Sequence, residues 1–181
     1  MPSQVHRLFF ALRPDPAERG EIARAAAGLK AVQHIRGHWL DLAKLHLTVQ
    51  FLGDFLSTDE IVRQATGAAA SLHVAPFEFT LDRVATFPRR FHPPCVLRCA
   101  PESEAPLQEL ARELGTALRT AGLGAHLETR PYVPHLTIAY ARSGLPEPIA
   151  IEPIIWRAWA IDLVDSHGGQ HVQIGRWPLR A

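Results

Sequence analysis

A short motif occurs twice in the chain and constrains its fold more than any other feature. Residues 46–49 read His-Leu-Thr-Val and residues 135–138 read His-Leu-Thr-Ile, 89 positions later (135 − 46 = 89). Alternate side chains of a β-strand share a face, so each His lies beside its Thr and opposite the apolar residues. A strand buried on both faces is apolar throughout. The motif therefore predicts two strands that each present an imidazole and a hydroxyl, in two related halves with one shared site.

The composition is that of an ordinary globular chain. Hydrophobic residues make up 47% and charged residues 20% of the sequence, which excludes disordered and fibrous classes. A chain of 181 residues can bury one sizeable core, as one domain or as two packed lobes. The formal net charge is only +1. A nucleic-acid substrate would therefore have to be bound by a local cluster of Arg and Lys.

The cysteines and the N-terminus suggest an ordinary intracellular setting. Cys95 and Cys99 are too few and too close for a disulfide framework or a paired zinc site, so we expect them in the core. The apolar run at residues 8–12 is shorter than a signal-peptide core, and no stretch approaches the length of a membrane span. We expect a cytoplasmic protein with no membrane partner.

The hydrophobic pattern predicts strands and helices that recur in a similar order on both sides of the middle. Each motif strand follows a helix. We therefore predict an α+β fold with two pseudo-symmetric lobes, each an antiparallel sheet with outer helices, in a single domain at 1–181. A cleft between the lobes would carry both motifs. The predicted elements are a strand at 5–13, a helix capped by Asp15 that runs to about 33, a motif strand ending at 53–54, a helix opened by a capping box at 57–60 and ending near 72, strands at 77–87 and 96–99, a helix at 104–121, the second motif strand, and strands at 154–164 and 171–179.

Two imidazoles that face one ligand can divide the work of acid–base catalysis. One accepts a proton from a nucleophile while the other donates a proton to the leaving group, and a pKa of about 6.5 allows both states near neutrality. The threonine hydroxyls are uncharged donors that suit the non-bridging oxygens of a phosphodiester. This chemistry requires no metal and no cofactor, and no carboxylate cluster with metal-ligand spacing lies near either motif.

Five segments of the chain, spread over nearly its full length, resemble the two-histidine (2H) phosphoesterases. The resemblance is specifically to the RNA 2′,3′-cyclic phosphodiesterases, also called 2′-5′ RNA ligases. It implies hydrolysis of a terminal 2′,3′-cyclic phosphate on RNA to a 2′-phosphomonoester, with ligation as the possible reverse reaction. The matching segments are residues 7–12, 46–53, 87–88, 134–138 and 177–179.

The resemblance also implies roles for the motif residues. His46 would be the general acid that protonates the 3′ oxygen, and His135 the general base that activates water. Thr48 and Thr137 would hold the phosphate. The partners implied are RNA with a cyclic-phosphate end or a cyclic nucleotide, bound by a monomer without metal.

One position departs from the family pattern. Members often carry an Arg five residues after the second motif His, where this chain has Tyr140. A neutral phenol cannot replace a bidentate cation on phosphate. Any arginine contact must then come from Arg130, Arg142 or the pair at 89–90, or be absent. We select Arg130 as the candidate because it lies just before the second motif.

Strand alternation assigns two aromatic residues near the motifs. Tyr140 should share a face with Leu136, and Phe51 with Leu47, so both are expected in the core. A bulge would re-aim Tyr140. The alternative for Phe51 is stacking on a nucleobase, because aromatic faces bind bases without sequence preference.

Two further histidine pairs have the four-residue spacing of metal ligands on a helix: His34 with His38, and His167 with His171. Each interval contains Gly, and neither pair has an acidic partner in a zinc-site pattern. We expect ordinary surface or loop histidines at these positions.

Two other functions remain open from the sequence. A non-catalytic module that binds RNA ends could use the threonine donors and arginine charges, but it would not need two histidines in opposite protonation states. A cyclic phosphodiesterase acting on a small nucleotide would need the same motifs.

Overall fold

The computed structural model describes residues 4–33 and 35–181 as an α+β fold, which confirms the predicted class. The helices are α1 (Pro16–Val32), α2 (Asp59–Ala70) and α3 (Glu104–Thr120). The strands are β1 (His6–Leu12), β2 (Gly37–Trp39), β3 (Leu47–Phe55), β4 (Phe77–Thr86), β5 (Pro94–Cys99), β6 (His135–Ala141), β7 (Ile149–Ala158), β8 (Ala160–His167) and β9 (Gln170–Pro178).

The strand order is symmetric about the two motif strands. It runs β7-β4-β5-β6-β3-β1-β8-β9, with β2 added to β6. All registered pairs are antiparallel, and β3 meets β6 through the single pair Leu47 and Leu136. These residues are the middle positions of the two motifs, 89 apart (136 − 47 = 89). The two predicted sheets are therefore halves of one sheet, joined where the motifs meet.

Equivalent bulges interrupt the two motif strands. Between β1 and β3 the register passes from Thr48 directly to Gln50 and skips Val49. Between β5 and β6 it passes from Thr137 to Ala139 and skips Ile138, which is again 89 positions after its counterpart (138 − 49 = 89). A bulge reverses the faces to which the following side chains point. In both motif strands, the side chains that follow the bulge therefore point to the opposite face from the one that regular alternation predicts.

A single contiguous hydrophobic cluster fills the space between the sheet and the helices and includes residues from both halves. The predicted apolar face of α3 is confirmed, since Leu107, Leu110, Leu114 and Leu118 are all fully buried. Cys95 and Cys99 are also buried in this cluster, as predicted. A second, smaller cluster of Phe9, Ala11 and Val164 lies on the other face of β1.

The start of α1 is confirmed in detail. The Asp15 carboxylate accepts a hydrogen bond from the backbone N–H of Glu18, and the Glu18 carboxylate accepts one from the backbone N–H of Asp15. The other oxygen of Glu18 accepts the backbone N–H of Arg157 at 2.7 Å. The cap therefore also attaches α1 to β7 in the opposite half of the sheet.

Two predictions of local structure are wrong, and one strand was missed. The apolar run at 154–164 forms the ends of two strands, because the chain breaks at Trp159, which alone connects β7 with β8. The capping box at 57–60 does not form, since Thr58 is the N-cap and makes no side-chain cap hydrogen bond. The short strand β2, which pairs with β6, was not predicted. No helix in the described part of the chain has the length and apolar character needed to cross a bilayer.

Candidate active site

Both motif histidines are oriented by the same local hydrogen bond. Nδ1 of His46 lies 2.7 Å from the backbone carbonyl of Lys44, and Nδ1 of His135 lies 2.7 Å from that of Val133. A carbonyl oxygen only accepts, so Nδ1 carries the proton and Nε2 is the acceptor nitrogen of each neutral ring. Among the described residues Nε2 of neither ring has a hydrogen-bond partner. Each ring therefore presents its basic nitrogen to a ligand.

The motif threonines lie beside these rings with their hydroxyl groups available. Thr48 and Thr137 are half-buried, and within residues 4–33 and 35–181 no side chain or carbonyl is hydrogen bonded to either hydroxyl. The phenol of Tyr132 donates to the backbone carbonyl of Thr48 at 3.0 Å. Tyr132 belongs to the segment that leads into the second motif, so this bond connects the two halves at the site.

An arginine faces each motif histidine across the sheet. The register of β5 with β6 pairs Arg98 directly with His135, next to the pair Leu97 and Leu136. The register of β1 with β3 ends at the equivalent pair, Leu12 and Leu47, so the next residues outward are Arg13 and His46. Both arginines depress the pKa of the histidine that they face, which places their charges close to the imidazoles.

Arg98 is held over the site by its neighbours. Its guanidinium lies 5.8 Å from the ring centroid of Phe87, and this ring meets the His135 imidazole edge-on at 4.7 Å. Nη2 of Arg98 is 3.4 Å from the Glu104 carboxylate, which is a long ion pair. Its Nε is buried and has no hydrogen-bond partner among the described residues. Part of the donor capacity of Arg98 is therefore unused.

Aromatic rings surround His46. Phe9 stacks on the imidazole with a centroid distance of 4.7 Å, and His171 meets it edge-on at 5.2 Å. His171 lies on β9, and its ring also contacts Phe9 at 5.6 Å. The expectation of an ordinary surface or loop residue is therefore wrong for His171. His34, by contrast, lies outside the described residues.

Burial and positive neighbours keep His46 neutral. Burial is the main cause that lowers the pKa of His46 to about 4, and the hydrogen bond to the Lys44 carbonyl opposes it. The charges of His171, Arg13 and His135 lower the pKa further. His135 is the smallest of these causes, so the second motif histidine acts only weakly on the pKa of the first.

The pKa of His135 is also lowered, first by burial and then by the charge of Arg98, against the hydrogen bond to the Val133 carbonyl. Burial, Lys44 and Arg13 lower the pKa of His171. All three imidazoles therefore favour the neutral form at neutral pH in the free protein.

The bulges determine where two aromatic residues point: the core prediction is wrong for Tyr140, and Phe51 packs against the smaller hydrophobic cluster rather than in the main core with Leu47. Phe51 packs with Phe9 and Ala11 in the small cluster, on the face that carries Thr48. Tyr140, its counterpart 89 positions later (140 − 51 = 89), is 36% exposed. Arg7 lies 5.9 Å from the Phe51 ring centroid, and Tyr140 raises the pKa of Arg7. The main cause of the raised pKa of Arg7 is its hydrogen-bonded pair with the Asp54 carboxylate.

The other arginines considered from the sequence are exposed. Arg130, Arg142, Arg89 and Arg90 all lie at the surface. Arg90 covers the ring of Phe91 at 5.1 Å. None of the four affects the pKa of a motif histidine. The structure thus brings together His46, His135, Thr48 and Thr137 but supplies no contact between Arg130 and this group.

A cavity of about 610 Å³ adjoins the site on the side of Arg13. Arg176 and Asp162 line it, and their side chains form an ion pair at 2.9 Å. Asp162 is paired across the strands with Ala11, which in turn is paired with Thr48. Asp162 therefore lies on the face of the sheet that carries Thr48, although none of the four motif side chains lines the cavity.

Comparison with known proteins agrees with this geometry. The family model described as the 2′-5′ RNA ligase superfamily matches residues 14–169, which include both motifs. The chain belongs to this superfamily. The resemblance to the two-histidine phosphoesterases is thereby confirmed.

Individual relatives of the superfamily are similar over different lengths. An RNA 2′,3′-cyclic phosphodiesterase of Geobacillus stearothermophilus is 35% identical over 101 residues, which are 56% of this chain and 31% of that protein. The match thus spans about a third of the curated relative. The fold matches E. coli LigT in its apo form with a TM-score of 0.74 and 24% identity, over 99% of this chain and 100% of LigT. A Thermus thermophilus protein matches with a TM-score of 0.73 and 22% identity, over 97% and 98% of the two chains.

Sequence reasoning missed Arg13, Arg98 and His171. A signal for the arginines was present, since each follows a leucine at the end of the strand that pairs with a motif strand. This signal can be recognised only when the strand register is known, because the register pairs Arg98 with His135, 37 positions later (135 − 98 = 37). For His171 the local sequence carries no such signal.

The buried neutral state of His46 predicts an acid-sensitive fold. Its folded pKa of about 4 lies below the unfolded value near 6.5, so its contribution to stability is present above pH 6.5 and is lost as the pH falls toward 4. Between pH 7 and pH 4.5 the free energy of unfolding of the unsubstituted protein should therefore fall. We expect this fall to be about 1–2 kcal/mol smaller in His46→Gln, as measured by urea unfolding at the two pH values. The matched control is His73→Gln, because His73 makes the same bond to the carbonyl two residues earlier but is exposed. Identical pH dependence in the two variants would contradict the prediction.

Proposed function

We propose that this protein is an RNA 2′,3′-cyclic phosphodiesterase that opens a terminal cyclic phosphate to a 2′-phosphomonoester without a catalytic metal. The observation that carries the proposal is the paired orientation of His46 and His135. Identical carbonyl bonds at Nδ1 leave Nε2 of both rings for a ligand, beside two available threonine hydroxyls. All of these groups come from one chain, so a monomer suffices.

In the proposed reaction, Nε2 of His135 accepts a proton from water as the water oxygen attacks phosphorus. The bond between phosphorus and the 3′ oxygen breaks, and Nε2–H of His46 donates its proton to that oxygen. The products are a 3′-hydroxyl and a 2′-phosphate. The same groups acting in the same sense, with a 5′-hydroxyl in place of water as the nucleophile, would form a 2′-5′ linkage and release the 3′-hydroxyl.

His46 needs a proton for this role, although its pKa is about 4 in the free protein. The anionic phosphodiester supplies the missing stabilisation, because a negative charge within a few ångströms favours the imidazolium form. It also offsets the charge of Arg13, which is one cause of the low pKa. Substrate binding and protonation of the acid are thus coupled.

Four groups are proposed to hold the phosphate. Thr48 and Thr137 donate hydrogen bonds to the non-bridging oxygens, and Arg13 and Arg98 supply positive charge from opposite halves. Arg98 has a buried Nε without a partner among the described residues, which favours it over the exposed Arg130. The role predicted for Arg130 from the sequence stays a prediction, which the comparison of variants below tests.

RNA is the proposed substrate class because the surroundings suit a nucleotide. The exposed ring of Tyr140 and the half-buried ring of Phe51 can stack a base, whereas the charge of Arg7 is already paired with the Asp54 carboxylate. The curated relative is named as an RNA 2′,3′-cyclic phosphodiesterase, and LigT has been solved in complex with 3′-AMP. A cytoplasmic location agrees with this substrate and remains a prediction.

The central test is turnover of a defined oligonucleotide with a 2′,3′-cyclic phosphate end in EDTA. We expect hydrolysis to a 2′-phosphate, resolved chromatographically from the 3′-phosphate isomer, and a loss of at least about 100-fold in kcat for His46→Ala and for His135→Ala. A 3′-phosphate product would reverse the acid and base assignments. Binding of the RNA end without turnover would favour the non-catalytic module, and turnover of free cyclic nucleotides alone would favour a small-nucleotide enzyme.

The lowered histidine pKa values predict the pH profile. Since kcat/KM reports groups of the free enzyme, its bell should reach a maximum between about pH 4 and pH 6.5 and decline through neutrality. The maximum of kcat should lie at higher pH, because bound phosphate raises both pKa values. Arg13→Met should shift the acid limb of kcat/KM upward by removing a charge that lowers the pKa of His46. If the pH profiles of kcat/KM and kcat coincide and both have maxima above pH 7, protonation of His46 is not coupled to substrate binding.

The arginine assignment can be tested by matched substitutions. We expect Arg98→Met and Arg13→Met each to lower kcat/KM by about 10–100-fold, the loss of one charge-assisted hydrogen bond, while Arg130→Met changes it less than about threefold. Arg89→Met is a second exposed control. Thermal unfolding of each variant separates loss of binding from loss of the Arg98 contacts with Phe87 and Glu104. A larger effect at Arg130 than at Arg98 would restore the sequence-based assignment.

A further inference from the structure

Two histidines and an aspartate meet at the end of the sheet, on the face opposite to the motifs. The register of β1 with β8 pairs Leu8 with Asp165 and Arg7 with Ser166, so the next residues in line are His6 and His167. Alternation places His6 on the same face as the core residue Leu8, and His167 on the same face as Asp165. The phosphate site lies on the other face, with Phe9.

The three side chains converge on a single point. Nδ1 of His6 and Nδ1 of His167 lie 2.7 Å and 3.1 Å from the same oxygen, Oδ2 of Asp165. The imidazole centroids are 4.7 Å apart, and the three candidate ligand atoms lie within 4.8 Å of one another. The Asp165 side chain is 10% exposed, whereas those of His6 and His167 are 26% and 28% exposed. The carboxylate of Asp165 is therefore shielded from solvent, whereas the two imidazole rings are partly accessible to it.

Hydrogen bonding satisfies this group only in part, through the 2.7 Å bond between Nδ1 of His6 and Oδ2 of Asp165. Oδ1 of Asp165 and Nδ1 of His167 are buried, and neither has a hydrogen-bond partner in residues 4–33 and 35–181. Buried polar atoms in native proteins are normally paired. A carboxylate that is nine-tenths buried, with one oxygen unpaired and two imidazole nitrogens within 3.1 Å of the other, has the character of an incomplete coordination site.

We propose that His6, Asp165 and His167 bind a divalent transition-metal ion, with Zn²⁺ the best match. Two imidazole nitrogens and one carboxylate form a common donor set for zinc, whereas Mg²⁺ and Ca²⁺ prefer oxygen ligands. A tetrahedral zinc ion with bonds of about 2.0–2.1 Å holds its ligand atoms roughly 3.3 Å apart. The nitrogen–oxygen distances of 2.7 Å and 3.1 Å would therefore widen when the ion replaces the direct contact between His6 and Asp165. Water from the exposed side completes the coordination.

The ion has a structural role. It joins the first strand of the chain to the β8–β9 hairpin, whose turn at Gly168 and Gly169 adopts positive φ angles of 54° and 75° directly after His167. The ligands come from residues 159 positions apart, so the ion would restrain one edge of the first half. It lies on the opposite face from His46 and takes no part in the proposed reaction.

The test uses untagged, full-length protein freed of metal with EDTA and then dialysed. Zn²⁺ titrated against a chromogenic chelator should reveal one bound equivalent, and Co²⁺ should give the visible absorption of a tetrahedral site with nitrogen ligands. His6→Gln and His167→Gln should each weaken the affinity at least about 10-fold. Zn²⁺ should raise the Tm of the unsubstituted protein by several degrees and leave that of both variants unchanged.

A second histidine pair serves as the control, because His46 and His171 also lie in contact. In His171→Gln the bound equivalent and the Co²⁺ spectrum should persist, and in His73→Gln they should be unchanged. Loss of binding in His171→Gln but not in His6→Gln would place the ion in the cleft and overturn the proposal. The proposal would also be overturned if the unsubstituted protein bound no Zn²⁺. If one ligand variant fails to fold, the other decides, since each removes one nitrogen donor.

Discussion

The contact between Leu47 and Leu136 is the constraint on which the rest of the arrangement depends. It is the only registered pair between β3 and β6 in the described chain, and it lies between the two motif histidines. Leu47 and Leu136 occupy the same position in the two motifs. A residue at a given distance along the chain from Leu47 therefore has a counterpart at the same distance from Leu136, on the other side of this contact. The carbonyl-bonded histidines, the bulges, the aromatic residues and the facing arginines follow this rule. One apolar pair thus converts a sequence repeat into a site with two matched sides.

The two sides are nevertheless electrostatically different. His46 is enclosed by Phe9 and His171 and has a pKa of about 4, whereas His135 meets the edge of Phe87 beneath Arg98. Acid–base chemistry at a cyclic phosphate needs two histidines in different protonation states, and a strictly symmetric site could not distinguish them. The departures from symmetry therefore lie in the groups around the rings, while the backbone that orients the rings is the same on both sides.

The sequence predicted those features that depend on local periodicity. The motif strands, the amphipathic face of α3 and the cap at Asp15 follow from residues within a few positions of one another, and the structure confirms them. Features that depend on strand register were missed. Bulges turn Phe51 and Tyr140 away from the main core, and Arg98 meets His135 only through strand pairing. The break at Trp159 interrupts an apolar run without a Gly or Pro at the break. Register is a tertiary property, so no local pattern contains it.

The single-residue connection at Trp159 has a mechanical consequence. β7 is the outermost strand of one half and β8 lies next to the outermost strand of the other, yet one residue connects them. The sheet must therefore curl until its ends approach, and the backbone N–H of Leu179 donates to the carbonyl of Trp159 at that seam. The halves form a closed linkage, tied at the motif leucines and again at the seam. A hinge-like opening that separated the two imidazoles would therefore have to break contacts at the seam as well as at the motif leucines.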